Sequence, residues 1–264
     1  MNKNILQTIL ASKWDEVAKQ KEELPLHRLQ QAIRLQPRRA LSLRAALLET
    51  RGGVIAEFKR RSPSRGWIAP AADVTAVTAA YQQAGAAAVS CLTDAPFFGG
   101  NFTDFEQARA ALTRVPLLRK DFIVDEYQVY QSRVLGADAI LLIAACLARE
   151  ETKRLARLAK TLGMEVLLEI KSADELDHVD EYIDAVGVNN RDLRDFSTNT
   201  DRAREIARFL PPGPVPVAES GISDAQTINT LKAAGYKGFL VGEYLARSGN
   251  PGETLAQLIN GIKE

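Results

Sequence analysis

The sequence predicts an α/β protein, a (β/α)8 TIM barrel with an N-terminal helical extension, on three observations. Eight short apolar, β-branched runs follow a helical opening segment. Their starts lie about 21 to 33 residues apart, which is room for a strand, a loop and a covering helix. Four of the intervening segments close on a glycine placed alike. Eight parallel units over about 210 residues close most naturally into a barrel, with an open doubly wound sheet as the competing arrangement. Neither GxGxxG after the first run nor GxxxxGK followed by Ser or Thr occurs, which counts against a nucleotide-binding sheet.

Residues 1–50 read as helical, since Leu6, Leu10, Trp14 and Val17 recur at three- and four-residue steps and Pro25 and Pro37 punctuate further helical pieces. After Gly52-Gly53 the period changes. The strand-like runs are Val54–Arg60, Ala87–Thr93, Pro116–Phe122, Ala139–Ala145, Met164–Ile170, Ala185–Arg191, Val215–Ser220 and Gly238–Glu243. Gly85, Gly136, Gly163 and Gly235 each stand where a helix should stop, because glycine takes a left-handed conformation without a Cβ clash. Asp73 and Ser223 are N-cap candidates. Pro211, Pro212, Pro214 and Pro216 mark a stiff connector.

Lys and Arg number 34 against 33 Asp and Glu, a net charge of +1. So even a balance gives no footprint for a nucleic-acid backbone and favours small-molecule chemistry. Cys91 and Cys146 lack CxxC or His-ligand spacing, so neither a disulfide framework nor a zinc site is indicated. The longest apolar run, Ala139–Ala148, is about half of the roughly 20 residues that span a bilayer. Gln7 and Thr8 interrupt the apolar patch at the start, which argues against a secretory signal. The expectation is a cytoplasmic protein with no membrane or nucleic-acid partner. No unpaired apolar stripe stands out, so it is expected as a monomer or weak homo-oligomer.

Alternation of side chains along a strand tests which groups point into the barrel. Ile55, Glu57 and Lys59 share one parity, as do Leu118 with Lys120, Leu167 with Glu169, Gly187 with Asn189 and Arg191, and Val217 with Glu219. Charged groups thus recur at the C-terminal strand ends, where barrel enzymes carry their sites. Burying an unpaired charge costs several kcal/mol, so these groups pair with one another, as a structural network or around a charged ligand. Two loops have the chemistry of an anion cradle. Arg61-Ser62-Pro63-Ser64-Arg65-Gly66 follows the first run, and Ser220-Gly221-Ile222-Ser223 follows the seventh, with Gly242 ending the eighth. His27 and His178 fall at no strand end, which disfavours a histidine triad or histidine-held metal and leaves acid–base work to Lys and Glu.

These residues resemble the indole-3-glycerol phosphate synthase family nearly end to end. The resemblance rests on Ile55 through Ser64, Leu92-Thr93-Asp94 with Phe97 through Gly100, Leu118 through Ile123, Glu169-Ile170, Gly187 through Leu193, Ala218 through Ile222 and Phe239 through Glu243. It implies an extension over residues 1–50 packing near the barrel mouth and a catalytic barrel over 51–264. It also implies a cofactor-free, metal-free conversion of 1-(2-carboxyphenylamino)-1-deoxyribulose 5-phosphate to indole-3-glycerol phosphate, with loss of CO2 and water. Such an enzyme is a carboxy-lyase of tryptophan biosynthesis, expected here to be monofunctional.

By this resemblance Lys120 is the general acid at the ketone oxygen. Glu169 and Glu57 handle the later dehydration, and Lys59 sits by the substrate carboxylate. Asn189, Arg191, Glu219 and Ser220 position the sugar and the carboxylates. Ser62, Gly221 and Gly242 hold the phosphate, and Phe98 packs on the aromatic ring. The chain departs from the family pattern at Trp67, where a smaller aliphatic residue is expected, and at Tyr244, where a serine is expected. Glu243 must turn its carboxylate away if its N–H is to face a phosphate. Two rival readings are Lys120 as a Schiff-base nucleophile and a barrel that binds sugar phosphates without turnover.

Overall fold

The structure, a computed structural model, describes residues 5–35, 38–192 and 197–263; Pro37 and Leu193 lie outside the described residues. Eight strands form one closed, all-parallel barrel: β1 Val54–Phe58, β2 Ala88–Leu92, β3 Leu117–Lys120, β4 Ala139–Ile143, β5 Glu165–Ile170, β6 Ala185–Asn189, β7 Val215–Glu219 and β8 Gly238–Val241. The β8–β1 pairing, with Ile55 opposite Leu240, completes the ring. Each strand falls within an expected run and most end one or two residues sooner, where the chain leaves the ladder to form the loops of the C-terminal face.

Alternation sorts the apolar side chains into two bodies. Ile55, Ala88, Leu118, Leu141, Leu167, Val217 and Leu240 fill the barrel. Residues of the other parity, among them Ala56, Val89, Ile140, Val166, Val188 and Phe239, meet the surrounding helices. Gly85, Gly136, Gly163 and Gly235 have φ of +91°, +87°, +75° and +107°, the left-handed turn from helix toward strand. The β5–β6 crossover is the shortest and holds a 3-10 segment, Ala173–His178, in place of an α-helix. A two-stranded ribbon, Arg61–Ser62 with Gly66–Trp67, projects from the loop after β1. Two-residue strands carry no periodic signal, so periodicity could not reveal it.

Two local expectations need correction. Asp73 does cap the helix Val74–Gln83, accepting from the N–H groups of Thr75 and Ala76. The helix Ala225–Ala233, however, is capped by Asp224, which accepts from Thr227 N, and not by Ser223. In α1, Ile5–Glu23, the buried stripe is Leu6, Ile9, Lys13 and Val17. Trp14 is 48% exposed; the stripe passes through a lysine one position earlier.

After α1 come α2, Leu26–Leu35, and α3, Leu43–Glu49. The three cross from one end of the barrel to the other. Leu6 and Ile9 of α1 stand at the C-terminal end, while Leu43 and Leu47 of α3 pack into the barrel interior from the N-terminal end, Leu47 lying against the start of β8 at Gly238. Burying a leucine contributes about 1.5–3 kcal/mol relative to leaving it exposed. Between α2 and α3, Arg38 and the Leu41 N–H bind Asp138 just before β4, and Ser42 and the Arg44 N–H bind Glu165 at the start of β5. Among the described residues no helix is long and apolar enough to cross a membrane.

Candidate active site

The C-terminal strand ends surround a cavity of about 670 Å³, within the usual range for a small-molecule site. Glu57 and Lys59 reach it from β1 and the residue after it, Lys120 from β3, Glu169 from β5, and Asn189 and Arg191 from β6 and its loop. Period two brings them together, because Glu57, Lys120, Glu169 and Asn189 are each the inward residue nearest the end of its strand, with Lys59 and Arg191 two residues further on. Ser62, Phe98, Ser220, Gly221 and Gly242 also line the cavity. Glu219 does not. It is 1% exposed and meets the site through Lys120.

Lys120 stands between two carboxylates, its Nζ 3.3 Å from Glu57 Oε2 and 3.1 Å from Glu219 Oε2. Lys59 Nζ donates to the other Glu57 oxygen at 2.6 Å. Burial would raise the Glu57 carboxyl, but Lys59 and Lys120 outweigh it and hold the group down at about 2. Burial likewise works against charge on Lys120, yet Glu219, Glu57 and Glu169 lift its proton affinity above the ordinary lysine value. Glu169 lacks such a counter-ion. Burial and the neighbouring Glu219 push it up to about 7, against the opposing pull of Lys120 and a hydrogen bond from Asn189 Nδ2 at 2.9 Å. Asn189 Oδ1 accepts from the Arg191 N–H at 2.9 Å, which fixes its amide orientation.

The site therefore holds a protonated amine, an ionised carboxylate and a carboxyl poised near neutrality, a set suited to moving protons in both directions. Among the described residues no group of three His, Cys, Asp or Glu side chains is arranged to hold a metal ion.

The anion-cradle loops converge on one side of the cavity. Ser220 has φ +67°, the single non-glycine positive φ among the described residues, and Gly221 follows at +75°; such strain costs on the order of 1–3 kcal/mol and concentrates at functional sites. A Cβ on Gly221 would lie 2.4 Å from Thr198 Cγ2, and one on Gly242 would lie 2.2 Å from Glu57 Oε1. Glu243 turns its carboxylate toward Arg65 at 3.1 Å and Arg191 at 3.0 Å, the orientation its place beside Gly242 requires. On the opposite side Phe98, Phe122, Leu141 and Ile143 join Ile5, Leu6 and Ile9 of α1 in an apolar wall.

Sequence reasoning placed Arg65 in a cradle loop without its pairing to Glu243, and it did not nominate the α1 residues as parts of the site. Arg65 finds Glu243 across 178 positions, a pairing without local signature. Ile5, Leu6 and Ile9 had the helical period, but the period alone does not say what a helix covers. Trp67 is 58% exposed, stacks under the Arg61 guanidinium at 5.6 Å and rests on Gly99, so it joins the ribbon to the loop that follows Phe98. Tyr244 lines the cavity at 39% exposure.

A relative from Bacteroides thetaiotaomicron, named indole-3-glycerol phosphate synthase, is 47% identical over 261 residues, covering 99% of this chain and 100% of its own. Another of that name, from Carboxydothermus hydrogenoformans, is 40% identical over 265 residues, covering 96% of this chain and 99% of its own. Among solved structures, 3-hexulose-6-phosphate synthase from Salmonella typhimurium has a TM-score of 0.60 at 13% identity, over 80% of this chain and 98% of that one; that likeness concerns the barrel fold alone. The family model for indole-3-glycerol phosphate synthase matches residues 6–258. With a match of that extent and a relative 47% identical along its whole length, the chain belongs to the indole-3-glycerol phosphate synthase family.

Proposed function

We infer that the chain closes the indole ring: it takes 1-(2-carboxyphenylamino)-1-deoxyribulose 5-phosphate and releases indole-3-glycerol phosphate, CO2 and water. The observation that carries this reading is Lys120, held charged between Glu57 and Glu219, with an apolar wall on one side of it and the serine–glycine loops on the other. The three parts match the substrate's ketone, aromatic ring and phosphate.

Phosphate held by Ser62, Gly221 and Gly242, with the ring against Phe98, brings the ring carbon near the ketone, which is catalysis by orientation. Lys120 donates a proton to the ketone oxygen as the carboxylate-bearing ring carbon attacks the ketone carbon. The new C–C bond leaves positive charge on the aniline nitrogen, and loss of CO2 returns the electron pair to the ring. In the dehydration the hydroxyl formed from the ketone leaves as water, and a proton is lost from the adjacent methylene. Glu169, near 7, is suited to take that proton, and Lys59 to donate to the departing hydroxyl. Glu57, held ionised, pairs with both lysines and helps keep Lys120 charged. Asn189 and Arg191 position Glu169 and the sugar hydroxyls, while Glu219 steadies Lys120 from below. Ser220 contributes through its strained backbone, which turns the chain toward the phosphate.

The charge kept on Lys120 favours proton donation over Schiff-base attack, which needs a neutral amine. We read residues 51–264 as the catalytic barrel and 1–50 as an extension that completes its apolar wall. The test is to supply the carboxyphenylamino-deoxyribulose phosphate and follow indole absorbance. Product formation is expected, and its absence across several buffers overturns the reading.

A further inference from the structure

Lys13 is a lysine on the inner face of α1, 1% exposed, and it lies outside the set of groups that line the cavity. Its ammonium is 2.9 Å from Asp121 Oδ1, 3.2 Å from Asp94 Oδ2 and 2.8 Å from Glu16 Oε2. Burial disfavours its charge, but Asp121, Asp94 and Glu16 raise its proton affinity above the ordinary value. It is a buried cation serving two buried anions from different loops.

Each of those anions adjoins the site. Asp121 directly follows Lys120, and its second oxygen is held by Arg119 Nη2 at 2.9 Å and by the Thr93 hydroxyl. Its free choice of position is therefore small once Lys13 is in place. Asp94 caps the short helix Ala95–Phe98, accepting from the N–H groups of Phe97 at 2.9 Å and Phe98 at 3.2 Å. One ammonium thus links the end of β3, which bears Lys120, to the turn that bears Phe98. Helix α1, which carries Lys13, also contributes Ile5, Leu6 and Ile9 to the cavity wall, and it is moored further along by Lys21 to Asp125 and by the Tyr127 hydroxyl donating to the carbonyls of Gln20 and Leu24.

We propose that Lys13 is a positioning residue for the reaction: by neutralising Asp94 and Asp121 together it sets Lys120 against Phe98 and couples the seating of α1 to the geometry of the site. Without it the two carboxylates face each other across a buried gap, and the cation that remains paired is Arg119, on Asp121. Repulsion then drives the Phe98 turn away from the Lys120 strand end. A misplacement of about 1 Å at a reacting group costs on the order of 100-fold.

This inference rests on the roles given above to Lys120 and Phe98. It is tested by steady-state kinetics on the parent, Lys13→Met and Lys13→Met/Asp94→Asn, each first shown folded by circular dichroism and a thermal melt. Asparagine caps a helix about as well as aspartate, so the second change removes the uncompensated charge while keeping the turn. The folded Lys13→Met protein is expected to lose about 10- to 100-fold in kcat/KM, through both a higher KM and a lower kcat. The double variant is expected to recover several-fold. A Lys13→Met protein that melts earlier yet keeps the parent kcat and KM overturns the proposal, as does a double variant no better than the single one. A parent without turnover overturns the functional reading itself and this proposal with it.

Discussion

The carboxylate of Glu219 lies directly over the backbone of Gly187, on the neighbouring strand: a Cβ at Gly187 would stand 2.0 Å from Glu219 Oε1. Gly242 does the same for Glu57, at 2.2 Å. Both counter-ions of Lys120 therefore occupy space that a glycine leaves open. Glycine at these two points is dictated by a close approach, since neither has a left-handed backbone.

Gly187→Ala is accordingly expected to push Glu219 off Lys120. The folded protein should lose on the order of 100-fold in kcat, the scale of an ångström-sized displacement, with a smaller change in KM because Glu219 does not line the cavity. Initial rates with a parallel melt check this. An alanine variant with the parent kcat would mean that Glu219 has room to move without consequence.

Lys120→Ala removes the donor outright. A positioned acid contributes about 10²- to 10⁴-fold, so turnover should fall by that much while the phosphate loops and apolar wall still bind product. Turnover measured alongside product binding separates the two, and activity within a few-fold of the parent would remove Lys120 from its role.

The pH dependence follows from Glu169, raised to about 7. If its ionised form takes a proton in the dehydration, kcat rises with pH through a limb near 7, and Glu169→Gln lowers kcat and abolishes the limb. The stability effect has the opposite sense. A carboxyl with a raised folded-state value is fully compatible with the fold below its unfolded value of about 4.5, and stability is lost as pH rises from there to about 7. The melting temperature of Glu169→Gln relative to the parent should therefore climb between those pH values and level off above them.

The inward parity of Glu57, Lys59, Lys120, Glu169 and Asn189 was legible because a strand alternates with period two, and a closed barrel converts that period into a shared centre. The four glycine helix stops were legible for a similar reason, since the left-handed turn is local. The failures have other causes. Lys13 displaced Trp14 from the buried stripe because Asp94 and Asp121, some 80 and 110 positions on, supply the counter-charges that make a buried lysine tolerable. Ser223 lost the cap to its neighbour because only the backbone turn decides which of two adjacent capping residues faces Thr227.

Asp138 offers a test of how the extension is tied to the barrel. It is fully buried just before β4, at the end of the barrel opposite the cavity. One oxygen accepts from Arg38 at 2.7 Å and the Leu41 N–H at 2.8 Å; the other accepts from Arg109 at 2.6 Å and the Leu117 N–H at 2.8 Å. Asp138→Ala removes the carboxylate shared by two guanidiniums and orphans the buried Leu117 N–H. Breaking a buried pair in this way costs about 3–5 kcal/mol, and in a domain of this size that corresponds to a fall in Tm on the order of 10 °C. None of these groups lines the cavity, so KM below the transition should stay at the parent value. Calorimetry and kinetics on the same sample decide it: a melt within 2–3 °C of the parent, on the order of 1 kcal/mol, would show that the segment after α2 is held elsewhere. A raised KM would show instead that the far end of the barrel communicates with the site.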